Sequence, residues 1–356
     1  MAVTTSIATF SQNKKMESLN YPETKKTATV DTYFGTEVND PYRWLEDDKS
    51  EETAAWVKAE NKVTFDYLSK IPFRNKIKER MEKLWNYEKI SAPFKEGGYT
   101  YFYKNNGLQN QSVLYRTDKS GKEELFLDPN TFSKDATTSL DGVSFSKDGS
   151  KVAYSVSKAG SDWRTVIFID AKTKKEIDTP LVDVKFSGLS WKGNEGIFYS
   201  SYEKPKGSEL SAKTDEHKLY FHELGTAQKT DLVVFGDKEK RRYVGGSVSE
   251  DDRYLFISAA NSTSGNELYL KDLSDPFSKI IPIVSNFDFD VDVLDNLGSK
   301  LFILTNINAP NKRIVSVDAS NPGIENWVDF IPETDNVLSP STGAGYIFAT
   351  YMKDAI

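Results

Sequence analysis

Side chains able to start a hydrolysis or transfer reaction near neutral pH are scarce in this chain. It holds two histidines, His217 and His222, and no cysteine. Imidazole is the side chain whose unperturbed pKa lies nearest physiological pH, so these two positions are the chain's candidates for acid–base chemistry. They stand in the string Glu216-His217-Lys218-Leu219-Tyr220-Phe221-His222-Glu223. A spacing of five is not the i, i+4 spacing of the helical zinc motif, and on a strand it points the two rings to opposite faces. The string therefore predicts no metal site and two histidines on the surface of a strand. Lack of cysteine excludes disulfides, thiolate catalysis and Cys-ligated metals. A serine nucleophile of the hydrolase kind needs a G-x-S-x-G elbow between a strand and a helix. The nearest approach, Gly245-Gly246-Ser247-Val248-Ser249, lacks the last glycine and leads into the turn residues Glu250-Asp251-Asp252 and another strand-like run. Ser190, in Gly188-Leu189-Ser190-Trp191-Lys192, fails in the same way. No glycine-rich loop suited to a phosphate is present. Acids are plentiful, at 53 Asp and Glu, but no feature selects two of them at the ~5–9 Å that a glycosidase-like pair requires. No catalytic residue, cofactor site or metal site is read from the sequence.

The elements around these residues fall into two parts. Residues 1–30 read as a loose leader. In residues 31–86, Ser50 is placed to cap a helix beginning near Glu51, with Glu51 and Glu52 suited to its first turn. Trp56, Ala59, Val63 and Tyr67 recur every three or four residues and form one apolar stripe. A second helix is predicted from Pro72, where a missing N–H costs nothing, with Ile77, Met81, Leu84 and Trp85 as its stripe. Two such stripes need a further layer to cover them.

From residue 87 onward the period changes to two. Strand-like runs start at 99, 151, 196, 253, 300 and 345, separated by 52, 45, 57, 47 and 45 residues. Each is followed by a second run closed by a tight turn, as in Val166-Ile167-Phe168-Ile169 before Asp170-Ala171-Lys172-Thr173. A period near 50 with several strands per unit is the signature of a β-propeller. Residues 87–356 accommodate five blades and the start of a sixth. Early closure as a five-bladed ring would leave the segment after Ser341 without a place.

Composition narrows the classes further. The net charge is −7 and aromatic residues make up 13% of the chain, which fits a folded globular protein and not a disordered one. The one basic cluster, residues 238–242, contains its own acid, so no nucleic-acid partner is expected. No apolar run approaches the ~20 residues of a membrane span. The stretch Ala2–Phe10 has no basic start, so a cytoplasmic location is expected as the sequence stands. A periplasmic one would follow if this stretch were the tail of a longer signal peptide.

Several local motifs carry a resemblance. Asp40-Pro41-Tyr42-Arg43-Trp44-Leu45-Glu46-Asp47 resembles the N-terminal signature of the prolyl oligopeptidases. Tyr21-Pro22 before it, and Phe126-Leu127-Asp128-Pro129-Asn130, Gly160-Ser161-Asp162-Trp163, Val184-Lys185-Phe186-Ser187 and Lys218-Leu219-Tyr220-Phe221-His222 after it, stand in the family's order. The resemblance covers residues 21 to about 350. It implies a seven-bladed propeller inserted into an α/β-hydrolase domain, with residues 21 to about 86 wrapping that domain. It also implies that the Ser-Asp-His part lies beyond Ile356. The reaction implied for such an enzyme is cleavage of short peptides after proline, with the propeller restricting entry. Phe186 matches a family aromatic lining the substrate pocket, against the alternative of an ordinary blade-core ring. Asp162 matches an acid on the hydrolase-facing surface, against the alternative of a plain turn residue. The competing class is a stand-alone propeller that binds a partner and catalyses nothing.

With no activated nucleophile among its residues, the chain alone is expected to be catalytically silent. With its helical stripes uncovered and its ring open at one edge, it is also expected to be poorly stable. Purified residues 1–356 should not release chromophore from a Gly-Pro substrate above background. Turnover that co-purifies with the chain would overturn this reading.

Overall fold

The computed structural model describes residues 19–205, 215–238 and 240–355. Ala2–Phe10, Glu239 of the basic cluster and most of the leader lie outside the described residues. The main division into compact units falls after Leu84.

The first unit opens with a hairpin, β1 (Val30–Tyr33) and β2 (Thr36–Asn39). Its central residues Phe34 and Gly35 both have positive φ, 52° and 81°, the backbone of the turn whose twist suits a two-residue hairpin. This hairpin was not anticipated, because phenylalanine is no turn signal. The signature segment then forms a short 3-10 turn, Arg43–Glu46. Its arginine pairs with Asp40 at 2.5 Å and also with Asp31 on β1. Arg43 thus ties the hairpin to the turn, which gives the motif a structural reason. Residues 19–29 hold no regular element but are fixed by indole donors: Trp44 Nε1 donates to the Lys25 carbonyl and Trp56 Nε1 to Thr24 Oγ1, each at 2.9 Å. Helix α1 (Glu51–Ser69) begins where expected, its Ser50 Oγ accepting the Thr53 N–H at 3.0 Å. Helix α2 (Arg74–Trp85) begins two residues after the predicted Pro72, which stays in the connecting turn. Tyr67, Ile77, Met81 and Leu84 of the two stripes are exposed.

The second unit is a run of antiparallel sheets. The first contains β3 (Lys89–Ile90), β4 (Phe94–Glu96), β5 (Tyr99–Asn105), β6 (Val113–Thr117) and β7 (Glu123–Leu127). Its inner position is shared by β3 and β4, both paired with β5. The second sheet is β8 (Thr138–Phe145), β9 (Lys151–Lys158), β10 (Trp163–Asp170) and β11 (Leu181–Lys185). The third is β12 (Ser190–Lys192), β13 (Gly196–Ser201), β14 (Lys218–Glu223) and β15 (Leu232–Phe235). The fourth is β16 (Tyr243–Val248), β17 (Tyr254–Ala260), β18 (Glu267–Asp272) and β19 (Ile281–Val284). The fifth is β20 (Val291–Leu297), β21 (Lys300–Thr305), β22 (Arg313–Asp318) and β23 (Val328–Ile331). A final hairpin, β24 (Val337–Gly343) and β25 (Tyr346–Met352), begins a sixth. Strands pair in chain order within the second to fifth sheets. The six runs read from the sequence are the second strands of these units.

Alternation explains how the sheets stack. On β9, Val152, Tyr154 and Val156 join Tyr101, Leu114 and Phe126 of the first sheet in one core. Ala153, between them, faces the other way and joins Trp191, Ile197 and Tyr199 of the third. On the third sheet Phe198 turns from that core to meet Leu255, Ile257 and Ala259 of the fourth. Tyr254 and Phe256 in turn face Leu301, Ile303 and Val315 of the fifth. Each inner sheet buries both faces against sequence neighbours, which is blade stacking and not a two-sheet sandwich.

Polar groups close the same seams. Arg116, buried in the first blade, pairs with Glu124 at 2.5 Å, donates to the Ala171 carbonyl of the second and lies 4.1 Å from the Tyr99 ring centre. His222 is wholly buried, a correction to the surface position expected for it. Its Nδ1 meets Asp231 at 2.8 Å and its ring stacks on Phe168 of the second blade, while Asp178 of that blade lies 3.4 Å from Nε2. Burial alone would lower the His222 pKa, but the two carboxylates outweigh it and hold it above the ordinary value.

In all five blades the pairing of third and fourth strands shifts register one to two residues along. The extra residue is Phe126 in the first blade and Ile283 in the fourth, and both turn into the core. Such bulges bend a strand and raise its twist.

If stacked seams carry the stability, Leu255→Ala, at a fully buried seam position, should cost about 2–5 kcal/mol in urea unfolding. Leu232→Ala, on an exposed outer strand, should stay within about 0.5 kcal/mol. Equal costs for the two would contradict the stacking.

Candidate functional site

Because strands run antiparallel and in order, each blade puts its second-to-third turn and its exit to the next blade at the same end. The turn of the second blade holds Asp162, and Phe186 opens its exit from β11. The sequence-derived residues are therefore brought to one end of the sheets, together with others the sequence reading missed.

Phe186 has φ 52°, a left-handed backbone that is costly for a residue with a Cβ. Its side chain is not in the blade core, since the residue is 41% exposed. The ring meets Tyr202 edge-on, with centres 6.3 Å apart, and Tyr243 at a tilt, with centres 6.0 Å apart. Tyr202 follows β13 and Tyr243 opens β16, so three consecutive blades supply the aromatic trio. The Tyr202 hydroxyl donates to the Arg242 carbonyl.

Beneath the trio lies His217, also fully buried and not on the surface as expected. It stacks on Tyr202 with ring centres 4.1 Å apart. The Val244 N–H donates to His217 Nδ1 at 2.8 Å, and His217 Nε2 lies 2.9 Å from the Lys185 carbonyl. A backbone N–H can only donate and a carbonyl can only accept, so the ring is the neutral tautomer protonated on Nε2. The His217 amide donates to the Arg241 carbonyl at 2.8 Å. One imidazole thus joins the second, third and fourth blades.

Lys185 is buried as well. Its ammonium sits 5.0 Å from the ring centres of both Trp163 and Phe186, and 3.9 Å from Asp162 Oδ2. Cation–π attraction on two sides offsets part of the desolvation of this charge. The Asp162 carboxylate itself is largely in solvent, with 56% of its side chain exposed. Lys204 flanks the group, pairing with Asp183 at 2.7 Å and facing Trp163 from 5.5 Å. The result is an exposed aromatic ring over a buried cation, beside an exposed carboxylate. This arrangement can pack against an apolar group and pair with a cation. Both ring nitrogens of His217 are taken by backbone groups and neither meets a serine or threonine hydroxyl. Ser247, which lacks the last glycine of an elbow, lies inside β16 opposite Phe256. Ser190 Oγ accepts the Val248 N–H at 2.8 Å.

The string Val184–Ser187 pointed to Phe186 alone. Nothing in the sequence marks Tyr202, His217 and Tyr243 as meeting beneath it, because each comes from a different blade.

Stacked four-stranded blades with an aromatic cluster at one end define a β-propeller domain, and the comparisons agree. Residues 21–356 match the family model described as prolyl oligopeptidase, N-terminal beta-propeller domain, and the chain belongs to that family. It is 60% identical over 340 residues to a prolyl endopeptidase of Elizabethkingia meningoseptica, covering 95% of this chain and 48% of the relative. A prolyl endopeptidase of Elizabethkingia miricola is likewise 60% identical over 341 residues, with the same shares. Among solved structures, prolyl oligopeptidase B from Galerina marginata bound to a 25mer macrocyclization substrate is similar with a TM-score of 0.80 at 29% identity. That match covers 94% of this chain and 51% of the other. The chain spans about half the length of the curated relatives it matches.

Burial pushes the His217 pKa down to about 4, against a weaker upward pull from its bond to the Lys185 carbonyl. The folded state therefore favours neutral imidazole, whose unfolded pKa is about 6.5. Its contribution is full above that value and is lost as pH falls toward 4, on the order of 3 kcal/mol in all. Unfolding free energies of wild type and His217→Gln should converge or cross between pH 7 and 4. A gap independent of pH would refute the assignment.

Proposed function

We propose that this chain is the gatekeeping and substrate-contacting half of a serine peptidase that cleaves short peptides after proline. The observation that carries the reading is Phe186, an exposed ring presented on a left-handed backbone at the end of the blades. Exposing a large apolar ring from a strained backbone is unfavourable unless something packs against it. A short peptide with a prolyl group offers a flat, apolar surface of fitting size. The family membership and the 60% identity to two prolyl endopeptidases support the substrate class.

Asp162, exposed beside the same ring, is assigned to the surface that meets the hydrolase domain, where its carboxylate would pair with a cation. The stripe residues Ile77, Met81 and Leu84, each at least half exposed, are assigned to contact with that domain too. The chemistry itself would belong to a serine, histidine and aspartate outside these residues.

The test is Phe186→Ala in a protein joining this chain to its hydrolase domain. Lost aromatic packing should raise KM for a short proline peptide by an amount worth about 1–3 kcal/mol, with kcat little changed. Unaltered kcat/KM across several such peptides would overturn the contact.

A further inference from the structure

The left-handed conformation of Phe186 needs an external restraint. For a bulky residue it lies about 1–2 kcal/mol above the right-handed alternatives, and Phe186, at 41% exposed, is only partly packed. The torsion φ at residue 186 is set by the orientation of the peptide plane between 185 and 186. That plane carries the Lys185 carbonyl, which lies 2.9 Å from His217 Nε2. On the far side, Ser187 Oγ accepts the Ser200 N–H at 2.7 Å. The segment is thus gripped before and after the strained residue.

We infer that His217 is a positioning residue. By donating from Nε2 to the Lys185 carbonyl while Nδ1 accepts the Val244 N–H, it locks the 185–186 peptide plane and holds the Phe186 ring outward over Tyr202 and Tyr243. The value of this for substrate contact rests on the reading of Phe186 given above. The positioning does not.

Neutral imidazole suits the role because it offers a donor and an acceptor on opposite edges of one flat group. The ring lies parallel to Tyr202 within 19°, so stacking keeps both edges aimed. The Lys185 ammonium, between the Trp163 and Phe186 rings, adds a second hold on the same residue. Neither histidine replacement by an amide can serve both ends. Glutamine places a donor near the Nε2 position, and asparagine places an acceptor near Nδ1.

That asymmetry supplies the experiment. Hydrogen exchange is followed at the Ser200 and Val244 amides in wild type, H217Q and H217N of this chain. Ser200 reports the seat of the 185–187 segment, and Val244 reports the Nδ1 bond. The expected pattern is opposite: H217Q keeps Ser200 protected and loses Val244 by tenfold or more, while H217N does the reverse. Parallel loss at both amides in both variants is what a merely structural histidine would give, and it overturns the inference. So does unchanged protection at Ser200 in H217N. In a protein joined to the hydrolase domain, H217N should raise KM for a Gly-Pro peptide several-fold at constant kcat, with H217Q near wild type. If the opposite exchange pattern appears and KM does not move, the positioning stands and the peptide contact of Phe186 fails.

Discussion

A four-stranded sheet has two faces, and in the inner blades of this protein both are covered by neighbouring blades. Tyr154 and Ala153 are adjacent on β9, yet they serve cores shared with different neighbours. The same holds for Phe198 beside Tyr199, and for Leu255 beside Phe256. Each seam is built half from one blade and half from the next, so no blade is complete alone. Hydrophobic burial of this kind is non-directional. It brings sheets together without specifying how one is turned against the next.

Orientation comes from the polar groups set into the seams. Arg116 fastens the first blade to a carbonyl of the second. His222 is held between acids of the second and third. His217 reaches three blades at once. All are buried, and all have partners at their polar ends, so none incurs the full cost of an unsatisfied group. These bonds convert a stack of apolar faces into a defined register. At one end of the blades, that register brings Phe186, Tyr202 and Tyr243 together.

Much of this was legible in the sequence where the signal was local. The period-two runs beginning at 99, 151, 196, 253, 300 and 345 each became the second strand of a unit, and Ser50 capped its helix. Legibility failed where the deciding partner was distant or the residue type misled. Phe34 sits at the left-handed position of a hairpin although its type argues against a turn. Pro72 stayed in a turn because Ile71 and Arg74 close it with their own hydrogen bond. Both histidines were expected at the surface, since a strand sequence does not reveal which of its faces a later blade will cover. Phe186 was singled out only through the family resemblance of Val184–Ser187. Its supporting ring of Tyr202, His217 and Tyr243 was not, because no local pattern relates residues from successive blades.

The shifted pairing at the rim of every blade has a further effect. Fourth strands such as β15, β19 and β23 are four residues long, and several of their apolar side chains face solvent, Leu232, Val328 and Phe330 among them. A straight apolar edge of that kind would be a template for a strand from another molecule. Here the extra residue interrupts the regular alternation of free N–H and C=O groups after two or three positions. An incoming strand would meet only a short stretch in register before its side chains fell on the wrong face. The same irregularity that feeds Phe126 and Ile283 into the core thus shortens the straight edge those blades offer.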